Sequence, residues 1–148
     1  MTNNVSAWQL EISPDQWIAV SEKSMLEYIG NSSPFPVPST PKGCNHLLIW
    51  HKNFVPVFDM QCWLDLAPAN NNTSNLVVLS YNTGEQAAAV ALKLYSPPQR
   101  ITVNDNQFSE NLLAVNEKLH QFVCSLFEIA GDAIAVMDIS KLVKENHA

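Results

Sequence analysis

The chain has 148 residues, of which 47% are hydrophobic and 15% are charged. This composition predicts a folded chain with its own core and excludes an intrinsically disordered one. The formal net charge is −6, and the eight Lys and Arg residues are scattered singly, which argues against nucleic-acid binding because that needs a clustered basic face. The low charge favours a surface that contacts other proteins.

The N-terminal segment MTNNVSAWQLEISPD is polar and contains no apolar run of signal-peptide length. No stretch of the sequence has the length and apolarity of a membrane span. The three cysteines form no CxxC pair, which is typical of reduced thiols. We therefore expect a cytoplasmic protein without membrane insertion.

The first predicted elements are a hairpin and a short helix. WQLEI (8–12) and WIAV (17–20) flank the turn-forming cluster SPDQ and predict a hairpin. SEKSMLEYI (21–29) predicts a short helix with Ser21 as its N-cap. The four prolines of NSSPFPVPSTPKG (31–43) then exclude a helix and a central strand, so we expect an extended connection there.

The rest of the chain predicts more hairpins and one longer helix. SENLLAVNEKLHQF (109–122) has apolar residues at helical spacing and Ser109 as a cap, which predicts a helix. APANNNTSN (67–75) is typical of a polar loop. Strand hairpins with few helices favour an all-β barrel or sandwich. The predicted hairpins join 46–50 to 54–60, 75–81 to 87–95, and 123–129 to 133–139.

Four candidate metal ligands, Cys44, His46, His51 and Asp59, lie close together in CNHLLIWHKNFVPVFD. If 46–50 is a strand, Cys44 and His46 share a face, whereas His51 lies beyond the strand end. A structural zinc site needs four ligands and a catalytic site needs three with an ordered second shell, and this spacing matches no zinc signature. We predict no metal site and no cofactor, and a metal-dependent or hydrolytic enzyme remains the alternative.

The sequence contains no GxSxG, no HExxH and no glycine-rich phosphate loop. Asp59 and Asp138 each follow an apolar run, VPVFD and IAVMD, and could act together as acid and base. However, Asp at the end of a strand more often bonds the backbone of a turn. We therefore predict no catalytic residues and no enzymatic activity.

The order of motifs from Glu27 to Asp59 resembles the CheW family. MLEYIG leads to a Pro-x-x-Pro bend (Pro38 to Pro41), then to an apolar strand, a tight turn and VPVFDM (55–60). NLVVLSYNTGEQAAAVALKL is similar to the central hairpin of the family, and SLFEIAGDAIAVMDISKLV is similar to its closing hairpin and terminal segment. The resemblance therefore covers nearly the whole chain.

The resemblance implies one CheW-like domain over residues 1–148, all-β with a few short helices. Such domains consist of two packed SH3-like barrels with about five strands each. They catalyse no reaction. They are adaptors that place the cytoplasmic hairpin tip of a chemoreceptor next to the regulatory domain of the histidine kinase CheA, in chemotaxis or pilus-type signal transduction.

Several positions depart from the family pattern. The family's Asn-Leu-Arg-Gly turn falls on Ile49, Trp50, His51 and Lys52, so the Arg that contacts the receptor is His51 and the turn Gly is Lys52. In the central hairpin an acid becomes Lys93. Neutral His offers one donor where Arg offers a bidentate fork. The departures favour a divergent adaptor or, alternatively, a modulator that binds one partner only and competes with the standard adaptor.

The resemblance implies partner contacts on the strand-turn-strand unit 44–59 and along an apolar groove between the barrels. The apolar candidates could equally be core residues, because smoothly apolar strands look alike in both cases. Trp50 is usually buried in such a strand, and if exposed it would be a binding hot spot. The residues expected to contact partners are Met25, Leu26, Glu27, Ile29, Trp50, His51, Lys52, Val90 and Leu92.

Overall fold

The computed structural model describes residues 4–14, 16–30, 34–36, 46–60, 75–84 and 86–147. The described residues form strands β1 (Asn4–Ser13), β2 (Gln16–Ser21), β3 (Met25–Ile29), β4 (Phe35–Pro36), β5 (His46–Trp50), β6 (Asn53–Phe58), β7 (Asn75–Asn82), β8 (Ala87–Leu94), β9 (Gln99–Asn104), β10 (Val123–Ile129) and β11 (Asp132–Met137), and the helix α1 (Ile139–His147). Short 3-10 turns cover Glu22–Ser24, Asp105–Gln107, Leu112–Ala114 and Glu117–Phe122.

The strands form two sheets. The first has the order β10-β11-β2-β1-β9, and the second has the order β3-β7-β8-β6-β5-β4. Parallel pairing occurs between β2 and β11 and between β6 and β8, and the other pairs are antiparallel. Because β4 has only two residues, each sheet contains five main strands. The predicted all-β class with two five-stranded units is confirmed.

The β7–β8 hairpin is buried on both faces. Val77 and Leu79 belong to the larger core cluster, which also contains residues of the first sheet, whereas Leu76 and Val78 belong to a smaller cluster under β5 and β6. Alternate side chains of one strand therefore enter two different cores. This arrangement explains why the run LVVL (76–79) is continuously apolar instead of alternating.

The larger core cluster joins the two sheets to the C-terminal helix. It includes Leu10 and Ile18 from the first sheet, Phe58 from the second, Phe122 from a 3-10 turn, and Leu142 from α1. Each such fully buried side chain contributes roughly 1.5–3 kcal/mol through removal of apolar surface from water. The two sheets are therefore packed together through a shared core.

The helix predicted over 21–29 is wrong. Ser21 does cap a turn, because its Oγ accepts from the Lys23 N–H at 3.4 Å, but the turn is a single 3-10 turn. The chain then becomes strand β3, which pairs with β7 at the edge of the second sheet. Sheet pairing has overridden a weak local helix signal.

The helix predicted over 109–122 is also wrong, because the segment forms two 3-10 turns. Asn111 Oδ1 accepts from the Leu113 N–H at 3.2 Å, and Asn116 Oδ1 accepts from the Lys118 N–H at 3.0 Å. Each asparagine starts a new turn by offering the backbone a local partner in place of a continuous helix.

Besides the two-residue strand β4 and the 3-10 turn Asp105–Gln107, two longer elements were not predicted. Strand β9 (Gln99–Asn104) pairs with β1. The last strand was predicted to end at Ile139, but it ends at Met137, and helix α1 begins at Ile139. Asp138 Oδ1 accepts from the Lys141 N–H at 3.2 Å and so caps the helix. Of the proline-rich connection, the structure describes only residues 34–36. The predicted loop 67–75, apart from Asn75 at the start of β7, lies outside the described residues, as do Cys44 and Cys62.

Candidate functional site

The β5–β6 hairpin is closed by a two-residue turn at His51 and Lys52. Both residues have positive φ, 48° and 67°, and the flanking residues Trp50 and Asn53 are paired. Two positive φ values are the signature of a type I′ turn, whose twist matches that of antiparallel strands. The strand-turn-strand unit predicted here is confirmed, although neither turn residue is glycine.

The outward face of this hairpin is apolar and exposed. Ile49 and Phe54 are cross-strand partners and are 63% and 68% exposed. Phe35 of β4 lies beside them, with its ring centroid 6.2 Å from that of Phe54 in an edge-to-face contact. We call these three residues the outer aromatic face. Large apolar side chains clustered at a surface are typical of contact sites.

The inward face of the hairpin packs against the smaller core cluster and borders a groove. Leu48 and Val55 are buried in that cluster, and Trp50 packs against it. Beside Trp50 lies a depression of about 610 Å³ whose lining includes Leu26, Tyr81, residues 87–89 and, from β6, residues 53–56, so that Phe54 borders it as well. Residues 87–89 are three consecutive alanines, so small side chains leave this part of the surface open.

A second depression, of about 810 Å³, lies between the two sheets. It is lined by Lys23, by residues of both sheets, among them Tyr81 and Cys124, and by Asp138, which follows β11. Ser80, Tyr81 and Ala87 line both depressions, so the two lie next to each other. We call the combined feature the inter-sheet groove, which runs from Trp50 past Tyr81 to Asp138.

The polar candidates are neighbours of two residues that line this groove, since Glu27 follows Leu26 and His51 follows Trp50. His51 Nε2 lies 3.9 Å from Glu27 Oε1, and the two side chains are 67% and 47% exposed. At that distance and exposure the pair adds little stability. The His51 ring also contacts the Trp50 indole edge to face, with centroids 4.4 Å apart. Lys52 is exposed in the turn beside them.

The apolar candidates are distributed differently from the prediction. Leu26 is exposed and borders the inter-sheet groove. Met25 and Ile29 are half-buried, and each packs against a core cluster. Val90 and Leu92 are each only 2% exposed and lie in the larger core, so they do not line the groove. Their alternative reading as core residues is confirmed.

The groove instead uses the first residues of the same strand, 87–89. Sequence reasoning missed them because it looked for large apolar side chains as contacts. An alanine run carries no such signal, and its effect is to leave space. The run of three alanines before Val90 is visible in the sequence, and it could have been interpreted as a surface whose small side chains leave space for a partner.

The metal candidates are not brought together. His46 and His51 lie at opposite ends of β5, and among the described residues no three His, Cys, Asp or Glu side chains are grouped as metal ligands would be. Cys44 lies outside those residues. His120 Nε2 lies 2.8 Å from the Val115 carbonyl oxygen, and this contact ties its ring to the backbone.

The two candidate catalytic carboxylates have structural contacts. Asp138 caps α1, as expected for an Asp that follows a strand. Asp59 ends β6, and its Oδ2 lies 3.8 Å from Lys93 Nζ on the neighbouring strand β8. The basic residue that departs from the family pattern at 93 therefore faces an acid across the sheet.

Cys124 contributes a thiol to the wall of the inter-sheet groove. Burial raises the pKa of the Cys124 thiol, and the negative charge of Asp138 raises it further. Because only the thiolate is a good nucleophile, this side chain stays protonated at neutral pH and is suited to contact rather than to chemistry.

The only helices in the described part of the chain are short, and none of them has the length and apolarity to cross a membrane.

Comparison with known proteins agrees with this architecture. The family model of the CheW-like domain matches residues 13–147. The chain is also similar to the crystal structure of the scaffolding protein TtCheW from Thermoanaerobacter tengcongensis, with a TM-score of 0.74 and 12% sequence identity over 91% of this chain and 89% of that one. At this identity the structural match shows a shared fold. No curated protein matches. The chain belongs to the CheW-like domain family, whose members are scaffold proteins of chemotaxis signalling.

Proposed function

We propose that this protein is a non-enzymatic cytoplasmic adaptor that couples chemoreceptors to a CheA-type histidine kinase and uses no cofactor. One observation carries the proposal: the β5–β6 hairpin borders the inter-sheet groove at Trp50 and presents Ile49 outside that groove, with Phe54 between the two. An adaptor needs two contact surfaces that can be occupied together. The groove side at Trp50 and the exposed surface at Ile49 meet that requirement.

The inter-sheet groove suits the hairpin tip of a receptor. Such a tip is helical, and a helix docks by laying one face into an apolar groove. Alanines at 87–89 let its backbone approach closely, while Leu26 and Trp50 offer larger apolar contacts at the side. Tyr81 lies in the middle of the groove, where it can contact successive turns of a helix.

The outer aromatic face suits the regulatory domain of the kinase. Ile49 and Phe54 are more than half exposed, and covering them removes apolar surface from water. Aromatic residues dominate the energetics of many interfaces, and the edge-to-face pair of Phe35 and Phe54 forms a pre-arranged anchor. The face lies on a sheet edge, where another folded domain has access.

A pair of calorimetric titrations tests the proposal, one against the kinase regulatory domain and one against a receptor hairpin tip from the same organism. Two variants make the test specific. Ala87→Arg fills the groove at an exposed position and is expected to abolish receptor binding while sparing kinase binding. Ile49→Ser is expected to do the reverse. If either variant loses binding to both the kinase domain and the receptor tip, the assignment of separate surfaces is contradicted.

A modulator that binds the kinase alone is the second candidate, and the state of His51 favours it. The His51 imidazole is in loose contact with Glu27 and has a single ring edge to offer the receptor, whereas Arg would offer a fork of several donors. Kinase binding without receptor binding in the wild-type titrations would select this candidate. Such a protein would lower kinase activity by competing with the standard adaptor.

A further inference from the structure

We infer that Trp50 determines specificity in the inter-sheet groove by donating its indole N–H to a neutral carbonyl acceptor on the docked partner. The inference rests on the proposed adaptor function, because it concerns the segment that the groove would hold. It adds a chemical requirement that apolar contact alone does not impose. A partner with a correctly placed acceptor is favoured over one that presents only apolar side chains there.

The starting observation is an unpaired donor. Trp50 Nε1 is buried, with less than 1 Å² exposed, and has no hydrogen-bond partner in the part of the chain that the structure describes. Buried polar groups nearly always have a partner, because leaving one unpaired forfeits its hydration without compensation. An indole N–H can only donate, so an acceptor is what this group lacks.

The groups next to the indole are exposed, and Asn53 Nδ2 donates to the His51 carbonyl oxygen at 3.3 Å. Trp50 is the last residue of β5, and the ring in contact with it belongs to His51, whose side chain is 67% exposed. Asn53, the cross-strand partner of Trp50, is exposed as well. Neither neighbour is held in a core cluster. A partner entering the groove can therefore displace them and reach the edge of the indole ring.

The surroundings select the kind of acceptor. Glu27, His51 and the exposed Lys52 are neighbours of Trp50, so acidic and basic groups are both present at this end of the groove. The strength of a bond to a charged acceptor would depend on the balance of these charges, whereas a neutral carbonyl oxygen accepts from the indole N–H largely independently of it. The amide carbonyl of a Gln or Asn side chain, or an unpaired backbone carbonyl at a helix end, is such an acceptor.

The test compares Trp50→Phe with the matched control Trp17→Phe in titrations against a receptor hairpin tip. Trp50→Phe keeps one six-membered aromatic ring and removes the five-membered ring that carries the N–H donor. We therefore expect about tenfold weaker binding to the receptor tip. Trp17 is in β2 and does not line the inter-sheet groove, so its variant should bind like the wild type. Thermal melting of each variant checks that it is folded.

A second readout needs no variant. In ¹⁵N-labelled wild-type protein, the Trp50 indole proton should move downfield when the tip is added, because formation of a hydrogen bond deshields it. Equal binding by Trp50→Phe and wild type, or an indole resonance that stays in place on saturation, would overturn the inference and leave the adaptor function standing. Absence of binding by the wild type itself would overturn both.

Discussion

The β7–β8 and β5–β6 hairpins belong to the same sheet and are both rich in apolar residues, yet they serve different purposes. The β7–β8 hairpin sends alternate side chains into two cores and exposes little of either face. The β5–β6 hairpin buries one face and exposes Ile49 and Phe54 on the other. The difference teaches that an apolar strand is a scaffold or a contact surface according to what covers it, and that its composition alone does not decide which.

The position of each hairpin in the sheet explains the contrast. Strands β7 and β8 are in the interior of the sheet, between β3 and β6, and the first sheet covers one of their faces. Strand β5 has only the two-residue β4 beyond it, so it is close to a free edge. Exposed edges invite pairing with other chains, and an adaptor can use one as a docking place.

The largest expected effect is on the free energy of unfolding, which should respond to truncation of a side chain in β7–β8 but not in β5–β6. Leu79→Ala removes a fully buried side chain of β7 and should lower the free energy of unfolding by about 2–5 kcal/mol in urea titrations. Phe54→Ala, on the exposed face of β6, should change it by less than about 0.5 kcal/mol. Similar losses in both variants would show that the outer aromatic face is buried in solution.

The next effect separates the hairpins by binding. Ile49→Ser should weaken binding to the kinase regulatory domain by at least about tenfold, because an exposed apolar anchor outside the groove is lost, and should leave the melting temperature nearly unchanged. Leu113→Ser serves as the matched control, since Leu113 is 91% exposed but lies in a 3-10 turn far along the chain. If both variants bind the kinase domain equally weakly, the apolar contacts that they remove are non-specific.

A smaller effect concerns the turn that shapes the contact hairpin. Lys52 has φ 67°, so Lys52→Gly should raise the free energy of unfolding by up to about 1 kcal/mol through relief of the left-handed conformation. Gly131→Ala is the converse control, because it places a Cβ at φ 87° in open space and should destabilise by a similar amount. Urea unfolding measures the free energy of unfolding of both variants. A lower free energy of unfolding in Lys52→Gly would contradict the claim that Lys52 is strained.

The smallest expected effect restores a charge at the groove. His51→Arg should strengthen binding to a standard receptor tip by a few fold, because Arg is always charged and offers several donors. The side chain is exposed, so solvent screening keeps the gain below about 1 kcal/mol. Calorimetry measures the change, with His51→Gln as an uncharged control. No gain over that control would argue against His51 lying at the receptor contact.

Much of the fold could be predicted from local patterns. The apolar runs with turn-forming clusters predicted the hairpins β1–β2, β5–β6, β7–β8 and β10–β11, all of which the structure contains. The segments 21–29 and 109–122 were misjudged because their helical spacing was outweighed by sheet pairing in one case and by asparagine-capped turns in the other. Strand β9 was missed because QRITVN carries little apolar signal. The assignment of residues 1–148 to one domain stays a prediction.

The candidate site was predictable only in part. Position in the chain placed His51 and Lys52 in a turn, and the turn is there. Val90 and Leu92 were misplaced because the face of a strand that enters the core depends on which sheet packs against it, and local sequence does not specify this. The outer aromatic face was not foreseen, since Ile49 and Phe54 have the composition of core residues.

Simultaneous binding is the central claim, and one measurement tests it most directly. The affinity of the kinase regulatory domain for this protein is measured by calorimetry twice, once alone and once with the receptor hairpin tip at saturating concentration. The account predicts that the kinase domain binds in both cases with similar affinity, giving a complex of three components. Loss of kinase binding when the groove is saturated would show that the two surfaces are not independent and would contradict the account.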